Sequence, residues 1–417
     1  MSRLDKDSSH AQHDFCLLFG GNKLNAGVVT RFHEWGCKVI VVDWNQSPSL
    51  TGDIHLQLDV KHPWPIIAEL ERRGLMESVK TGYTSIDVAV PALAEVLKRC
   101  GLNVNSGVGL ANCSSKSRQT AEWAKAGLLN RKVKKYDSWS KEISEWNSNC
   151  KLILKPDNSA SSRGITILER ASCPEDVQRA FSRAMENASD GLVVVEEFVD
   201  GTEFTVEMLG DGKGNVAVYA ISKKQHTKNT HQNKIAVKLH YNAVSNALQE
   251  KIAEVGIACY KNLGFCNSMG HLEVLLKPDG TISPVEIGAR SSGFIASDLV
   301  DVVSGRCFMQ DLYEVQRGGE VTNGLMPQTD NSSVFFFYDI PSGSMIKHSC
   351  SLLDFCDGRI TSLASDTGGL VVGRVAEDID SDNARIGFEV LAGPKNVLTE
   401  ENLARYEQLM LKNLLGR

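Results

Sequence analysis

The sequence predicts a mixed chain with α/β and α+β parts: a doubly wound α/β domain first, an α+β middle, and a small C-terminal α+β domain. Three observations carry this. Buried-strand runs alternate with helical spacing over roughly the first hundred residues, which is the pattern of a layered α/β domain. The stretch HLEVLLKPDGTISPVEIGAR (271–290) sets two alternating runs around a Pro-Asp-Gly turn, the signature of a β-hairpin. Beyond a Gly- and Pro-marked change near 318–331, short strand-like runs and one last helix close the chain. The division expected is 1–111, 112–330 and 331–417.

The first element is FCLLFGG (15–21), an apolar run that ends in a tight turn. Helical spacing over Asn25–Trp35 and a second buried strand, KVIVVD (38–43), follow. Gly20, Gly21 and Asp43 resemble a dinucleotide fingerprint, but the third glycine of G-x-G-x-x-G is missing from GGNKLNAG, so a structural role is favoured. A helix at Pro63–Arg73, a strand near Ile86–Val90, a helix at Pro91–Cys100 and a short strand at Leu102–Asn105 complete this domain.

From Asn112 the character changes. Ser114 and Ser115 are N-cap candidates for a helix that carries Lys116 and Arg118 near its start, where the macrodipole disfavours cations. KLILKPD (151–157) is a strand with Lys155 before a proline. It runs into a small-residue loop with Ser161, Ser162, Arg163 and Gly164, whose amides suit phosphate oxygens as well as they suit an ordinary hairpin. No G-x-x-x-x-G-K-[ST] is present, so this is not a P-loop. A polar helix at Pro174–Asn187 precedes GLVVVEEFVDGTEFTVEML, where Glu196, Glu197, Phe198 and Val199 emerge from a buried strand and Glu203 follows. Backbone groups there fit an adenine edge and a carboxylate fits ribose hydroxyls; an edge strand with solvated acids gives the same letters.

The segment SKKQHTKNTHQNK (222–234), with His226 and His231, reads as a solvated loop or a flap, and Lys223 or Lys224 at its root is the better candidate for nucleotide contact. In the hairpin, His271 and Glu273 share one face, and pairing across the turn brings Glu286 beside Glu273. Two adjacent carboxylates repel unless a cation lies between them, and hard oxygen ligands are what Mg²⁺ takes. Ordinary surface carboxylates on an exposed hairpin are the competing reading. Helices at Ala243–Leu263 and after Asp298 surround the hairpin. SSVFFFYDIP, RITSLAS and GLVVGRVAE read as strands, and a helix is expected at Thr399–Leu415.

The bulk properties are those of a globular protein. The 417 residues hold 45 Lys+Arg against 51 Asp+Glu, a formal charge of -6 that argues against nucleic acid or membrane as a partner. Eleven cysteines without a C-x-x-C pair fit neither a zinc site nor a disulfide framework, and suit a reducing compartment. The polar start MSRLDKDSSHAQHD lacks the apolar core of a signal peptide, and a cytoplasmic location is expected. A homodimer is the default expectation for an enzyme of this size.

The order Lys116, Lys155-Pro156 with a Ser/Gly loop, EEFVDGTE, H-x-E and E-x-G-x-R resembles the ATP-grasp superfamily of carboxylate–amine ligases. EIGAR followed by SSG looks most like its L-amino acid ligase (dipeptide-forming) branch. The resemblance implies an ATP-grasp fold: a pre-ATP-grasp domain, an ATP-grasp domain over 112–330 with a lid lobe at about 120–200, and a C-terminal domain packed beside the site. It also implies roles. Lys116, Lys155 and Lys224 would meet the nucleotide, and Ser161, Ser162 and Gly164 would close over the triphosphate. Glu196, Glu197, Phe198 and Val199 would form the adenine hinge, with Glu203 on the ribose. Glu273 and Glu286 would hold Mg²⁺, or Mn²⁺ in its place. Lys155 and Arg290 would be catalytic, Arg290 holding the acyl phosphate or substrate carboxylate. Ser292, Gly293, Phe294 and His271 would line the substrate pocket.

Many family members carry Asn where this chain has Gly288, and that Asn assists metal binding. The implied reaction joins a small carboxylic acid, an amino acid foremost, to an amine with release of ADP and phosphate. Its alternatives are another ATP-grasp carboxylate ligase of purine or small-metabolite biosynthesis, a non-catalytic nucleotide-binding module, and a nicotinamide enzyme resting on Gly20, Gly21 and Asp43.

Overall fold

A computed structural model describes residues 13–159, 163–227, 235–293, 296–379 and 384–417. Three sheets organise it. The first is a parallel, four-stranded sheet in the order β3-β2-β1-β4, from β1 (Phe15–Phe19), β2 (Lys38–Asp43), β3 (Ile54–Gln57) and β4 (Val79–Thr84). Helices α1 (Ala26–Glu34), α2 (Pro63–Arg72) and α3 (Val90–Arg99) complete it, all beside buried Val, Ile and Leu of the strands. Asp43, at the end of β2, accepts the Gly21 N–H at 2.7 Å and both amide groups of Asn45 at 2.7 Å. That acid is engaged by its own turn, which removes the support for a nicotinamide enzyme.

The strand expected near Ile86–Val90 is instead β4, seven residues earlier, and Leu102–Asn105 is irregular. The run VKTGYT reads poorly as a strand because Gly82 interrupts it. That glycine is required by packing: a Cβ there would lie 2.7 Å from Leu97 Cδ2.

Two short helices, α4 (Gly107–Asn112) and α5 (Lys116–Lys125), lead to a small lobe with its own core around Trp146, Leu154, Phe181 and Val195. Its antiparallel sheet runs β5-β8-β6-β7, formed by β5 (Val133–Tyr136), β6 (Leu152–Pro156), β7 (Thr166–Leu168) and β8 (Val193–Glu197), with α6 (Lys141–Asn149) and α7 (Pro174–Glu186) packed on it.

The third sheet has nine strands. Its main path is β13-β12-β9-β10-β11-β15-β17-β16, with β14 (Gly324–Leu325) beside β10. The strands are β9 (Thr202–Gly210), β10 (Val216–His226), β11 (Ala236–Tyr241), β12 (Ser268–Leu276), β13 (Ile282–Gly288), β15 (Asn331–Phe337), β16 (Thr361–Asp366) and β17 (Phe388–Pro394). Helices α8 (Asn246–Asn262), α9 (Ala296–Ser304), α10 (Phe308–Gln316) and the C-terminal α11 (Glu400–Leu414) lie against it. The segment after 331 has its own apolar core around Phe336, Tyr338, Leu391 and Leu403, and through β15, which pairs with β11, it extends the same sheet. GLVVGRVAE forms only an isolated bridge, Met345 to Val375. Its valines 371, 372 and 375 are exposed, so the β-branched run has no core to face.

Among the described residues no helix is long and apolar enough to cross a membrane, and all eleven cysteines are free.

Among the ties between the N-terminal sheet and the rest is a buried side chain on α10. Gln316 Oε1 accepts the Thr81 hydroxyl at 2.6 Å and the Gly82 N–H at 3.0 Å, while its Nε2 donates to the Gly82 carbonyl at 3.0 Å. Gln316→Ala leaves those buried groups of β4 without this partner. Urea unfolding should show a loss of about 1–3 kcal/mol; an unchanged midpoint would remove this tie from the domain junction.

Candidate active site

The hairpin β12–β13 turns at Pro278-Asp279-Gly280, where Gly280 takes a φ of 82° and Asp279 accepts the Thr281 N–H at 2.9 Å. Its register puts Glu273 directly opposite Glu286 and His271 opposite Gly288. The row continues across the sheet: Glu273 faces Thr205 on β9, Thr205 faces Ser222 on β10, and Ser222 faces Tyr241 on β11. One row further along, His271 faces Glu207. A polar strip therefore crosses one face of an otherwise apolar sheet.

Cations from other elements meet this strip. Lys116 enters from the start of α5 and pairs with Glu286 at 3.0 Å, and its ammonium also donates to the Ser159 carbonyl at 2.8 Å. Its position is fixed at both ends of that helix turn. Asp157 accepts the Ser117 N–H at 2.5 Å and the Ser115 hydroxyl at 2.8 Å. Gln119, one turn on, bonds the backbone of Ile287 in both directions, at 2.8 and 3.0 Å, and so covers the exposed edge of β13. Lys224, near the end of β10, bridges Glu203 at 2.5 Å and Glu273 at 2.7 Å. His226 contacts the other oxygen of Glu203 at 3.0 Å.

The charges shape one another. Burial alone would raise the Glu286 carboxyl, but Lys116 and Lys155 outweigh it and hold it down to about 2. Burial raises Glu273 as well. There Lys224 pulls down while Glu203 and Glu286 push up, and the net direction is upward. Lys224 itself, despite burial, is raised by Glu203 and Glu273. Glu273 is thus the carboxylate of the pair whose ionised form its buried surroundings oppose, and a further cation would favour it.

Among the described residues no three His, Cys, Asp or Glu side chains form a metal cage. Two carboxylates with phosphate oxygens and water as the remaining ligands is the Mg²⁺ arrangement at nucleotides, so the donor set fits that ion bound together with a polyphosphate.

Not every expected residue sits where its expected role needs it. The Glu196 carboxylate, 1 % exposed, lies between Lys155 at 2.6 Å and Arg131 at 2.7 Å. It supports Lys155 rather than facing an adenine. Arg131 also donates to Ser283 Oγ at 2.9 Å and to the Pro284 carbonyl at 2.6 Å, so this cluster joins the small lobe to β13. The Glu197 N–H is taken by the Lys132 carbonyl and the Phe198 N–H by the Lys151 carbonyl, whereas the Val199 amide makes no hydrogen bond among the described residues.

Gly164 has a φ of 74°, and a Cβ there would come 2.8 Å from Asn187 Cβ, so the loop needs glycine to pass α7. His271 bonds Glu207 through Nδ1 at 2.7 Å. Lys223 pairs with Glu400 of α11, away from the strip. Ser292 is buried and Gly293 exposed beyond Arg290. Ser161, Ser162, Phe294 and the stretch 228–234 with His231 lie outside the described residues.

Three further residues belong to the site and escaped the sequence reading. Glu207 was visible in principle, since Glu203, Thr205 and Glu207 alternate on one face of β9. Arg131 and Asp87 carried no local signal. Asp87 reaches Arg290 only through the docking of the N-terminal domain.

Replacing Glu196 with Gln leaves two buried cations facing each other. Removing one partner from such a cluster costs about 3–5 kcal/mol. Chemical unfolding should show that loss, and nucleotide affinity should fall with it. A variant as stable as the parent would rule out the supporting role.

Comparison with known proteins gives the family context. Residues 148–298 match the model of the ATP-grasp domain. The D-alanine–D-alanine ligase of Cupriavidus taiwanensis is 28 % identical over 158 residues, 37 % of this chain and 46 % of the relative. That of Bordetella avium is 32 % identical over 138 residues, 32 % and 41 % of the two chains. This chain therefore spans less than half the length of these curated relatives. In three dimensions the L-amino acid ligase from Bacillus licheniformis aligns with a TM-score of 0.71 over 95 % of this chain and 97 % of its own, at 17 % identity. Residues 148–298 are thus similar to the ATP-grasp domain, and the fold of the chain as a whole is that of the L-amino acid ligase structure.

Proposed function

We propose that the protein is an ATP-dependent ligase that joins a small carboxylic acid, an amino acid foremost, to an amine through an acyl phosphate. The observation that carries this reading is the registered pair Glu273–Glu286 with Lys116 of α5, Lys155 of β6 and Arg290 just past β13 gathered around it. The first half-reaction transfers the γ-phosphoryl group of ATP to the acid and leaves ADP. In the second, an uncharged amine attacks the acyl carbon, the C–N bond forms, phosphate departs and the amine loses a proton.

Glu273 and Glu286 would hold Mg²⁺, which when bound neutralises charge on the phosphate oxygens. Lys116 and Lys155 place fixed positive charge beside the same oxygens, and positioning with charge stabilisation supplies most of the catalysis in such transfers. Arg290, whose guanidinium is held in one orientation, offers a planar fork for the acyl phosphate or the substrate carboxylate. Val199 would present its amide to the adenine, and Glu203 its carboxylate to the ribose. Ser292 would line the substrate pocket. His271 is tied to Glu207 and would orient the strip rather than touch substrate.

Mg-ATP should raise the melting temperature and NAD(H) should not; the reverse result would sink the ligase reading. A phosphate-release screen of paired amino acids and small acids with Mg-ATP should then find a productive pair, and Glu286→Gln should abolish that release with the fold intact.

The two carboxylates should also respond oppositely when exchanged for amides without nucleotide. Glu286 is depressed, so its contribution to stability is complete above the unfolded carboxyl value near ~4.3 and is lost as pH falls toward about 2. Glu286→Gln therefore lowers stability at pH 7. The loss is at most about 1 kcal/mol, because the side chain is 36 % exposed and its pairing is screened. Glu273 is raised, so its ionised form costs stability at pH 7, and Glu273→Gln should leave the melting temperature equal or higher while weakening Mg-ATP binding. A melting temperature that falls for both variants would refute the assigned charge balance.

A further inference from the structure

The position that departs from the family pattern, Gly288, lies against an ion pair contributed by another domain. Asp87 opens the single 3₁₀ turn Asp87–Ala89 that leads into α3. Its oxygens accept Arg290 Nε at 2.8 Å and Nη2 at 2.6 Å, a bidentate pair, while Arg290 Nη1 donates to the Ser291 carbonyl at 2.7 Å. A guanidinium carries five N–H groups. These bonds use three of them, and the two left, one on Nη1 and one on Nη2, have no partner among the described residues.

Gly288 makes the room for this clamp. A Cβ there would come 2.8 Å from Asp87 Oδ1 and 3.2 and 3.3 Å from Arg290 Cγ and Cζ. Its φ is not in the left-handed region, so space rather than backbone conformation demands the glycine.

We infer that Asp87 is a positioning residue of this site: it holds one edge of Arg290 so that the opposite edge meets the phosphoryl oxygens of the acyl phosphate and of the phosphate released from it. Two features make the clamp effective. Bidentate pairing fixes the guanidinium plane, which a single hydrogen bond does not. The Ser291 carbonyl restrains the guanidinium further by taking an N–H of Nη1, the nitrogen outside the Asp87 pair.

A side chain at position 288 would push the Asp87 carboxylate from its present place on Arg290, so in this chain the guanidinium takes its orientation from the N-terminal domain. The inference rests on the ligase reading, and it adds a residue from outside the matched ATP-grasp segment.

Titration calorimetry of inorganic phosphate into protein saturated with Mg-ADP tests it. The set is the parent, Asp87→Asn, Gly288→Ala and the double variant, with thermal unfolding to confirm folding. Each single change should weaken phosphate at least about tenfold with Mg-ADP affinity within about twofold. The double variant should be no weaker than the worse single one, because both changes break one clamp. If Asp87→Asn does not fold, Gly288→Ala, which leaves the carboxylate in place, carries the test.

Parent-like phosphate affinity in the folded variants overturns the inference. So does a parallel loss of Mg-ADP and phosphate, which would make the pair a structural tie only. A parent that binds Mg-ADP but no phosphate overturns the inference alone, whereas a parent that binds no Mg-ADP overturns the ligase reading and the inference with it.

Discussion

Two like charges on neighbouring strands are the constraint around which this molecule is built. Glu273 and Glu286 face each other because the β12–β13 register puts them there, and a slip of one residue would turn one of them to the other side of the sheet. A sheet does not place two carboxylates in register without compensation. Here it comes from Lys116 of α5 and Lys224 of β10, on opposite sides of the pair. Each lysine depends on further contacts: Lys116 on Asp157 and Gln119, Lys224 on Glu203. Much of the surrounding architecture can be read as the support of those two cations. Burial and the neighbouring Glu203 and Glu286 still raise Glu273 despite Lys224, and a divalent ion there would favour its ionised form.

The same economy explains why residues with similar charge have different work. Glu196 and Glu197 are adjacent in sequence, but only Glu196 turns inward, and its burial is tolerable because Lys155 and Arg131 both meet it. That triad also links the small lobe to the hairpin, so Lys155 is held by the hairpin that carries Glu273 and Glu286. Charge balance and lobe placement are therefore one problem here. Arg290 follows the same rule from the other side, gripped by a carboxylate that the N-terminal domain supplies.

Much of this was legible in the letters. The Pro-Asp-Gly turn with flanking alternation fixed the hairpin, and alternation fixed which carboxylates share its face. Lys116 at a helix start was marked by the macrodipole argument, and Lys155 by its strand-ending position before a proline. β4 was misplaced because Gly82, required by Leu97 packing, breaks its apolar pattern. That the C-terminal segment continues the central sheet was not legible, because strand pairing between β11 and β15 leaves no mark in either strand's own composition.

The sequence by itself determined the periodic elements, the hairpin register and the set of charged groups available for a site, because turn chemistry and alternation act over a few residues. Only the tertiary structure decided which charges meet. Asp87 reaches Arg290 across 203 positions of chain and Arg131 reaches Ser283 across 152. Gly288 acquires its meaning only when the Asp87 carboxylate arrives beside it. Such pairings are set by the docking of domains against one sheet, and no local pattern in the chain encodes the distance at which two folded surfaces come together.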